Sequence, residues 1–421
     1  MQMPKSNKKH ILIIGAGTAG TIAANRLSRG KRYDITVIDQ VDQHYYQAGY
    51  VFLPFGKLKD KDLIKPKAKF IPRRATYIRG EVNKIEHSKS RVLLKNGNTV
   101  DYDLLVIATG AKINPKEIPG MHNGQWYKSI FDFYTIDGAR ALRDFLKEWK
   151  GGTMAVHITE MPIKCPIAPL EFTFLADSFF KEKGMRSKVK LKFITPLDGA
   201  FTKPTASKSL GYLLEDKAIE VVPNFNVERI DPKAKKLISY DSKSETYDVL
   251  VTVPTNMGDD MIGRSGLGDE LNFVPVYQHT LQSTQRKNIF VVGDAAALPT
   301  SKAGSVAHFQ IDTLVENIGR YFAKQPLIKS FDGHANCFIE TGEGKAMLID
   351  FNYQQEPVTG KFPFPVVGPL PLLKESRTNH WGKLAFRWVY WNLLLKDRPL
   401  PGIPSRMRFA GKDIIKRKEK E

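Results

Sequence analysis

The stretch that most constrains this chain is "KKHILIIGAGTAGTIAANRL", residues 8–27. The apolar run Ile11 to Ile14 reads as a buried strand and Thr21 to Leu27 as the opening of a helix. Between them stands GxGxxG: Gly15, Gly17 and Gly20. The first glycine permits a tight turn, the second lets backbone approach a pyrophosphate, and the third allows close helix packing, while the helix N-terminus offers N–H groups to the anion. A second strand, "DITVID", ends in Asp39, a carboxylate placed for a ribose hydroxyl. This order of strand, glycine loop, helix, strand and acid predicts a dinucleotide-binding α/β unit.

Two later segments narrow the dinucleotide. "VDYDLLVIATGA" (100–111) is a strand closing on Thr109 and Gly110, and "NIFVVGDAAALP" (288–299) is a strand closing on Gly293 and Asp294. Both resemble signatures of the flavoproteins with two dinucleotide-binding domains, where the aspartate holds the ribityl chain of FAD. The chain is therefore read as α/β with two Rossmann-like FAD/NAD(P)-type domains of the disulfide-oxidoreductase kind. An FAD-binding domain is expected over 1–115 and 270–325, a second Rossmann-like domain over 116–269, and a C-terminal quinone and membrane-interface region over 326–421.

The second domain departs from that pattern. "GGTMAVHIT" (151–159) supplies a first strand, yet "EMPIKCPIAPLEF" (160–172) follows it, with no glycine and with prolines that lack N–H donors. Binding of NAD(P)H there is not expected. In its place stands Cys165, one of only two cysteines. Pro166 and Pro169 suit the first turn of a helix continuing as "LEFTFLADSFFKEKG". A helix N-terminus and the neighbouring Lys164 would favour the thiolate. The alternative is a small buried hydrophobe. Cys337 lies in "FDGHANCFIETGEGKAMLIDFNY", read as a loop, a strand and a strand pair turning at "TGEG", and taken alone it reads as structural. Neither CxxC nor a zinc spacing is present, and no metal is expected.

Taken together, these blocks resemble the sulfide:quinone oxidoreductases over nearly the whole chain: the FAD loops, "YYQAGYVFLPFG" (45–56), "KCPIAPLE", "PTSKAGSVAHFQ" (299–310), "FDGHANC" and "FRWVYWNLLLK" (386–396). The resemblance implies that Cys165 and Cys337 form a redox pair, with Glu171 as an acid beside it and Lys302, near His308, at the pyrimidine end of the flavin. It implies hydrosulfide as substrate, FAD as electron carrier, a membrane quinone as acceptor, and sulfur leaving as polysulfide or a sulfane-sulfur adduct. Many members carry a further cysteine near "YKSIFDFYT", in some bonded to flavin; here Phe131 stands in that region, so FAD is expected to be non-covalent. Ala48 replaces a common proline, and Thr135 and Lys203 stand nearest to histidines that some members carry. Related readings are a type II NADH:quinone oxidoreductase, which needs a second nucleotide loop, and a flavocytochrome-c-like sulfide dehydrogenase.

The remaining question is where electrons leave. "NHWGKLAFRWVYWNLLLKDRPLPG" concentrates Trp381, Phe386, Trp388, Tyr390 and Trp391 among Lys383, Arg387, Lys396 and Arg398, a composition suited to an amphipathic helix lying in a membrane interface. A core helix or a contact within a homo-oligomer is the alternative. Phe338, Phe351 and Phe364, with Tyr353 and Phe362, are candidates for a quinone slot. The net charge of +20, from 64 basic and 44 acidic residues, suits an anionic membrane surface. A nucleic-acid partner is disfavoured because the basic residues are dispersed. The basic tail "GKDIIKRKEKE" is read as a solvated end. With no spanning segment and no signal-peptide core, a peripheral, cytoplasmic-side membrane protein is expected.

Overall fold

The computed structural model describes residues 8–364, 367–400 and 402–414. Residues 415–421 of the basic tail lie outside the described residues.

The first sheet has five parallel strands, in the spatial order Ile289–Val291, Leu104–Ile107, Lys9–Ile14, Tyr33–Asp39 and Thr76–Arg79. Its central strands are continuous apolar runs, as a sheet covered on both faces demands. Ile11 is in register with Leu104 on one side and with Ile35 on the other. The helix Thr18–Arg29 crosses from the central strand and packs against the long helix Gly304–Phe322.

The second sheet repeats the plan. Its order is Ile130–Phe131, Val249–Val253, Gly152–Ile158, Val189–Ile194 and Glu220–Val222, all parallel. In both sheets the strand leading into the loop of interest is the central one. Each unit also carries a three-stranded antiparallel meander, over 82–101 in the first and 227–246 in the second.

The helix Ala168–Glu182 follows the central strand of the second sheet and is buried continuously from Ala168 to Phe180. Burial on all sides over that span marks a core helix. Phe172 stacks on Phe133 with ring centroids 4.7 Å apart, and truncating either would cost about 3–5 kcal/mol. The charges it does bury are partnered: Asp177 meets Arg186 at 2.6 Å and Lys181 at 3.0 Å.

A third sheet is built from the C-terminal region. Its edge strand, Ala335–Gly342, forms a hairpin with Lys345–Phe351, turning at Glu343 and Gly344 as the "TGEG" signal predicts. Cys337 pairs with Ile349 in that hairpin. The helix Arg377–Val389, N-capped by the Ser376 hydroxyl, packs on both strands. Among the described residues no helix is long and apolar enough to cross a membrane.

Candidate functional site

The glycine loop is shaped by the absence of side chains. Gly15 has φ +96°, and a Cβ there would lie 2.4 Å from the Ala108 carbonyl oxygen. A Cβ on Gly20 would lie 1.9 Å from the Gly15 oxygen, so only glycine lets the helix sit this close to its own loop. Gly17 instead faces open space. No side chain caps the N-terminus of the helix Thr18–Arg29, leaving its N–H groups for an anion. A groove of about 430 Å³, lined by Gly15, Asp39, Gly80, Glu81 and Thr109 among others, runs from this loop. The Thr109 hydroxyl is buried with no partner, as a group awaiting a ligand would be. These features fit a dinucleotide such as FAD.

Asp39 is more occupied than its ribose role suggests. Its carboxylate accepts from the Ala16 N–H at 2.6 Å and the Val41 N–H at 2.9 Å, and it pairs with the buried Lys67 ammonium at 2.5 Å. At the other end, Gly293 and Asp294 form a 3-10 turn, with the Gly293 N–H donating to Gln310 at 2.6 Å. Asp294 and Lys302 line a smaller pocket of about 190 Å³. Burial pushes Asp294 up, against the opposing pull of Lys302 and Lys164. The Lys302 ammonium is turned inward. It donates to the Asp294 and Ala296 carbonyls at 2.8 and 2.9 Å and lies over the Phe273 ring, and burial lowers it to about 8. His308 is likewise pushed down by burial, with Nδ1 unpartnered.

Cys165 sits in the second loop with φ +49°. Its N–H donates to the Lys302 carbonyl at 2.6 Å, which ties the loop to the segment carrying the Gly293–Asp294 turn. Its own carbonyl accepts from the Ala168 N–H and the Tyr134 hydroxyl. Cys165 and Cys337 are both free thiols, and they stand close enough for a charge on Cys337 to act on Cys165. The expectation of a readily formed Cys165 thiolate is corrected. Burial pushes this thiol up, and the negative charges of Cys337 and Glu171 push the same way. The helix begins only at Ala168, and the Lys164 ammonium is directed to Gln47 and the Ala111 carbonyl. Burial also raises Cys337, to about 11, eased by Lys383 and by the neighbouring Ser305 hydroxyl.

The sequence reading missed the centre of this cluster. Lys383, expected among lipid-facing bases, is buried and pairs with Glu171 at 2.7 Å. The pair grips the edge strand: Lys383 donates to the Phe338 carbonyl at 3.2 Å, and Glu171 accepts from the Glu340 N–H at 3.3 Å. These two backbone groups point the same way along a strand edge, so the ion pair stands where a further strand would otherwise bond. It fixes the strand one residue beyond Cys337. The helical spacing of Asn379 and Lys383, both buried, was the available signal.

Other C-terminal expectations are also revised. Tyr390 and Trp391 are buried rather than interfacial: the Tyr390 hydroxyl meets Thr18 and His44, each at 2.7 Å, and the Trp391 indole donates to the Asp62 carbonyl. Arg387 pairs with Asp62 at 2.7 Å. What remains outward is a stripe of Trp381, Leu384 and Trp388, which are 64%, 49% and 61% exposed. The three candidate quinone residues do not share one wall. Phe351 joins the main core, Phe338 lies in a cluster with Leu348 and Leu372 on the opposite face of the hairpin, and Phe364 is exposed. Phe131 is fully buried, Thr135 caps the helix Ile136–Glu148, and Lys203 lies over the Phe351 ring.

Residues 9–156 match the family model described as pyridine nucleotide-disulphide oxidoreductase. The mitochondrial sulfide:quinone oxidoreductase of Dictyostelium discoideum is 28% identical, over 93% of this chain and 87% of its own. The mitochondrial sulfide:quinone oxidoreductase of Mus musculus is 25% identical, with the same coverage. Over nearly its whole length this chain is similar to proteins named sulfide:quinone oxidoreductase. The fold agrees with that of the sulfide:quinone oxidoreductase from Aquifex aeolicus, with TM-score 0.77 and 20% identity over 98% of each chain. A type II NADH:quinone oxidoreductase of Staphylococcus aureus is 27% identical over 84% of this chain and 92% of its own. In the sulfide:quinone oxidoreductase frame, the cluster of Cys165, Cys337, Glu171 and Lys383 stands where the second domain lacks a nucleotide loop.

Proposed function

We propose that this protein is a flavin-dependent enzyme that oxidises sulfide at Cys165 and Cys337 and delivers two electrons to a quinone. The carrying observation is the convergence of two thiols, distant in sequence, on the loop that interrupts the second Rossmann-like unit. Non-covalent FAD would be held by Gly15, Gly17 and Gly20 with the helix start behind them, by Thr109 and Gly110, and by Gly293 and Asp294. Bound FAD supplies a two-electron acceptor beside the thiols.

In the oxidised pair, hydrosulfide attacks the Cys165–Cys337 disulfide. The S–S bond breaks, a new S–S bond joins the incoming sulfur to one cysteine, and the other leaves as a thiolate. Lys383 favours that negative charge, as its lowering effect on both thiols indicates. Transfer of the outer sulfur to a second nucleophile, such as another hydrosulfide, releases polysulfide. The second loop suits this task because its prolines and its hydrogen bond to Lys302 hold Cys165 in place without presenting N–H groups to a phosphate.

Sulfide-dependent reduction of decylubiquinone tests the reading. Cys165→Ser and Cys337→Ser are each expected to lower it by at least about a thousandfold while retaining FAD. Full activity in both variants would sink it.

The exposed Trp381, Leu384 and Trp388 stripe supports peripheral attachment to a membrane, where aromatic rings sit at headgroup depth. Replacing all three by serine is expected to abolish sedimentation with anionic liposomes. Unchanged binding would remove this stripe from the account.

A further inference from the structure

The end of the C-terminal helix gathers cations that are far apart in sequence. Lys65 and Lys69 belong to the strand Ile64–Pro66 and the turn Lys67–Lys69, whereas Arg387 and Lys396 come from the helix Arg377–Val389 and the segment after it. Trp391 joins the two segments: its indole donates to the Asp62 carbonyl, and the Lys65 ammonium lies 4.6 Å from its ring centroid. Burial, and then the charges of Lys69, Lys396 and Arg387, hold the Lys65 ammonium below its ordinary value, while Asp62 pulls the other way. Asp62 is already engaged by Arg387, at 2.7 Å. Other bases of these segments and of the helix Thr18–Arg29 are matched: Lys67 meets Asp39, and Arg26 and Arg29 meet Asp397. Among the described residues no carboxylate pairs with Lys65, Lys69 or Lys396. Three like charges held together without a counter-ion repel one another, and an anion from outside relieves that repulsion.

Trp388 indicates the kind of anion. It directly follows Arg387 and ends the outward stripe of Trp381, Leu384 and Trp388. Indole rings of this kind sit at headgroup depth, with acyl chains below them. An anion held beside Trp388 at that depth is one attached to apolar chains, and a phosphodiester has two free oxygens to share among several ammonium groups. We propose that Lys65, Lys69 and Lys396 form a binding site for the phosphate of an anionic phospholipid headgroup, at the Trp388 end of the exposed stripe. This rests on the membrane reading of that stripe given above. The stripe supplies the apolar hold and the three lysines select the lipid, so the helix lies on the membrane with its C-terminal end at the anionic headgroup.

The test is sedimentation of the FAD-loaded protein with vesicles of phosphatidylcholine alone and of phosphatidylcholine mixed with phosphatidylglycerol. The wild type binds the mixed vesicles more tightly, and added salt erodes the difference. Lys65→Gln/Lys69→Gln/Lys396→Gln lowers partition onto the mixed vesicles by about a hundredfold, since each base near such a surface contributes about a factor of five. A control variant, Lys233→Gln/Lys235→Gln/Lys236→Gln, removes three exposed charges from the meander of the second unit and keeps wild-type binding. Equal losses in the two triple variants show that dispersed charge suffices and overturn the site. Equal wild-type binding to both kinds of vesicle also overturns it. Lys69→Gln alone, at an exposed position, weakens binding about fivefold; no change there overturns the site even where the triple variant fails to fold. A wild type that binds neither kind of vesicle overturns the membrane reading and the site with it, whereas a binding wild type with an unaffected triple variant overturns the site alone.

Discussion

Two loops leave the central strands of two five-stranded parallel sheets, and they use their backbones in opposite ways. The loop from Gly15 to Gly20 keeps side chains out, so that an uncapped helix N-terminus and a groove of about 430 Å³ stay accessible to a ligand. The loop from Thr159 to Ile167 spends its groups internally: the Cys165 N–H goes to Lys302, its carbonyl to Ala168 and Tyr134, and the Lys164 N–H to Asn256. One loop is built around missing atoms and the other around a thiol. In the proposed function the same strand–loop–helix frame would serve a cofactor in one place and substrate chemistry in the other.

Cys337, the partner of the filled loop's thiol, stands on a strand gripped by the Glu171–Lys383 pair, so the largest effect is expected from Lys383→Met. That change leaves the Glu171 carboxylate buried without its partner and should cost about 3–5 kcal/mol of stability in denaturant unfolding. The double variant Lys383→Met/Glu171→Leu should recover most of the loss. A single-variant loss below about 1 kcal/mol would show that the ion pair does not hold the strand beside Cys337.

The open loop should fail differently. Gly20→Val places carbon 1.9 Å from the Gly15 oxygen, and the resulting strain of roughly 1–3 kcal/mol should appear as a five- to hundredfold weaker hold on FAD by equilibrium dialysis, in a protein that remains folded. Undiminished FAD affinity would remove the steric basis of the contrast.

The glycine loop was legible from sequence because its meaning is local: three glycines, a strand and a helix determine one another. The second loop was legible as a departure, since prolines and a cysteine stand where glycines belong. Its electrostatics were not. The thiolate reading of Cys165 used its immediate neighbours, Lys164 and the coming helix, but Lys164 points to Gln47 and burial outweighs both influences. Lys383 escaped for a similar reason: nothing local shows that a lysine among interfacial aromatics meets a glutamate more than two hundred positions earlier. The C-terminal helix carried two faces in one composition. Asn379 and Lys383 turn inward, while Trp381, Leu384 and Trp388 turn outward.

The central claim is that the second loop offers thiols where a nicotinamide cofactor would otherwise bind. Anaerobic titration of the bound flavin with sulfide and, separately, with NADH tests it most directly. Complete bleaching by sulfide with no response to NADH is the expected result; bleaching by NADH with no response to sulfide would contradict it.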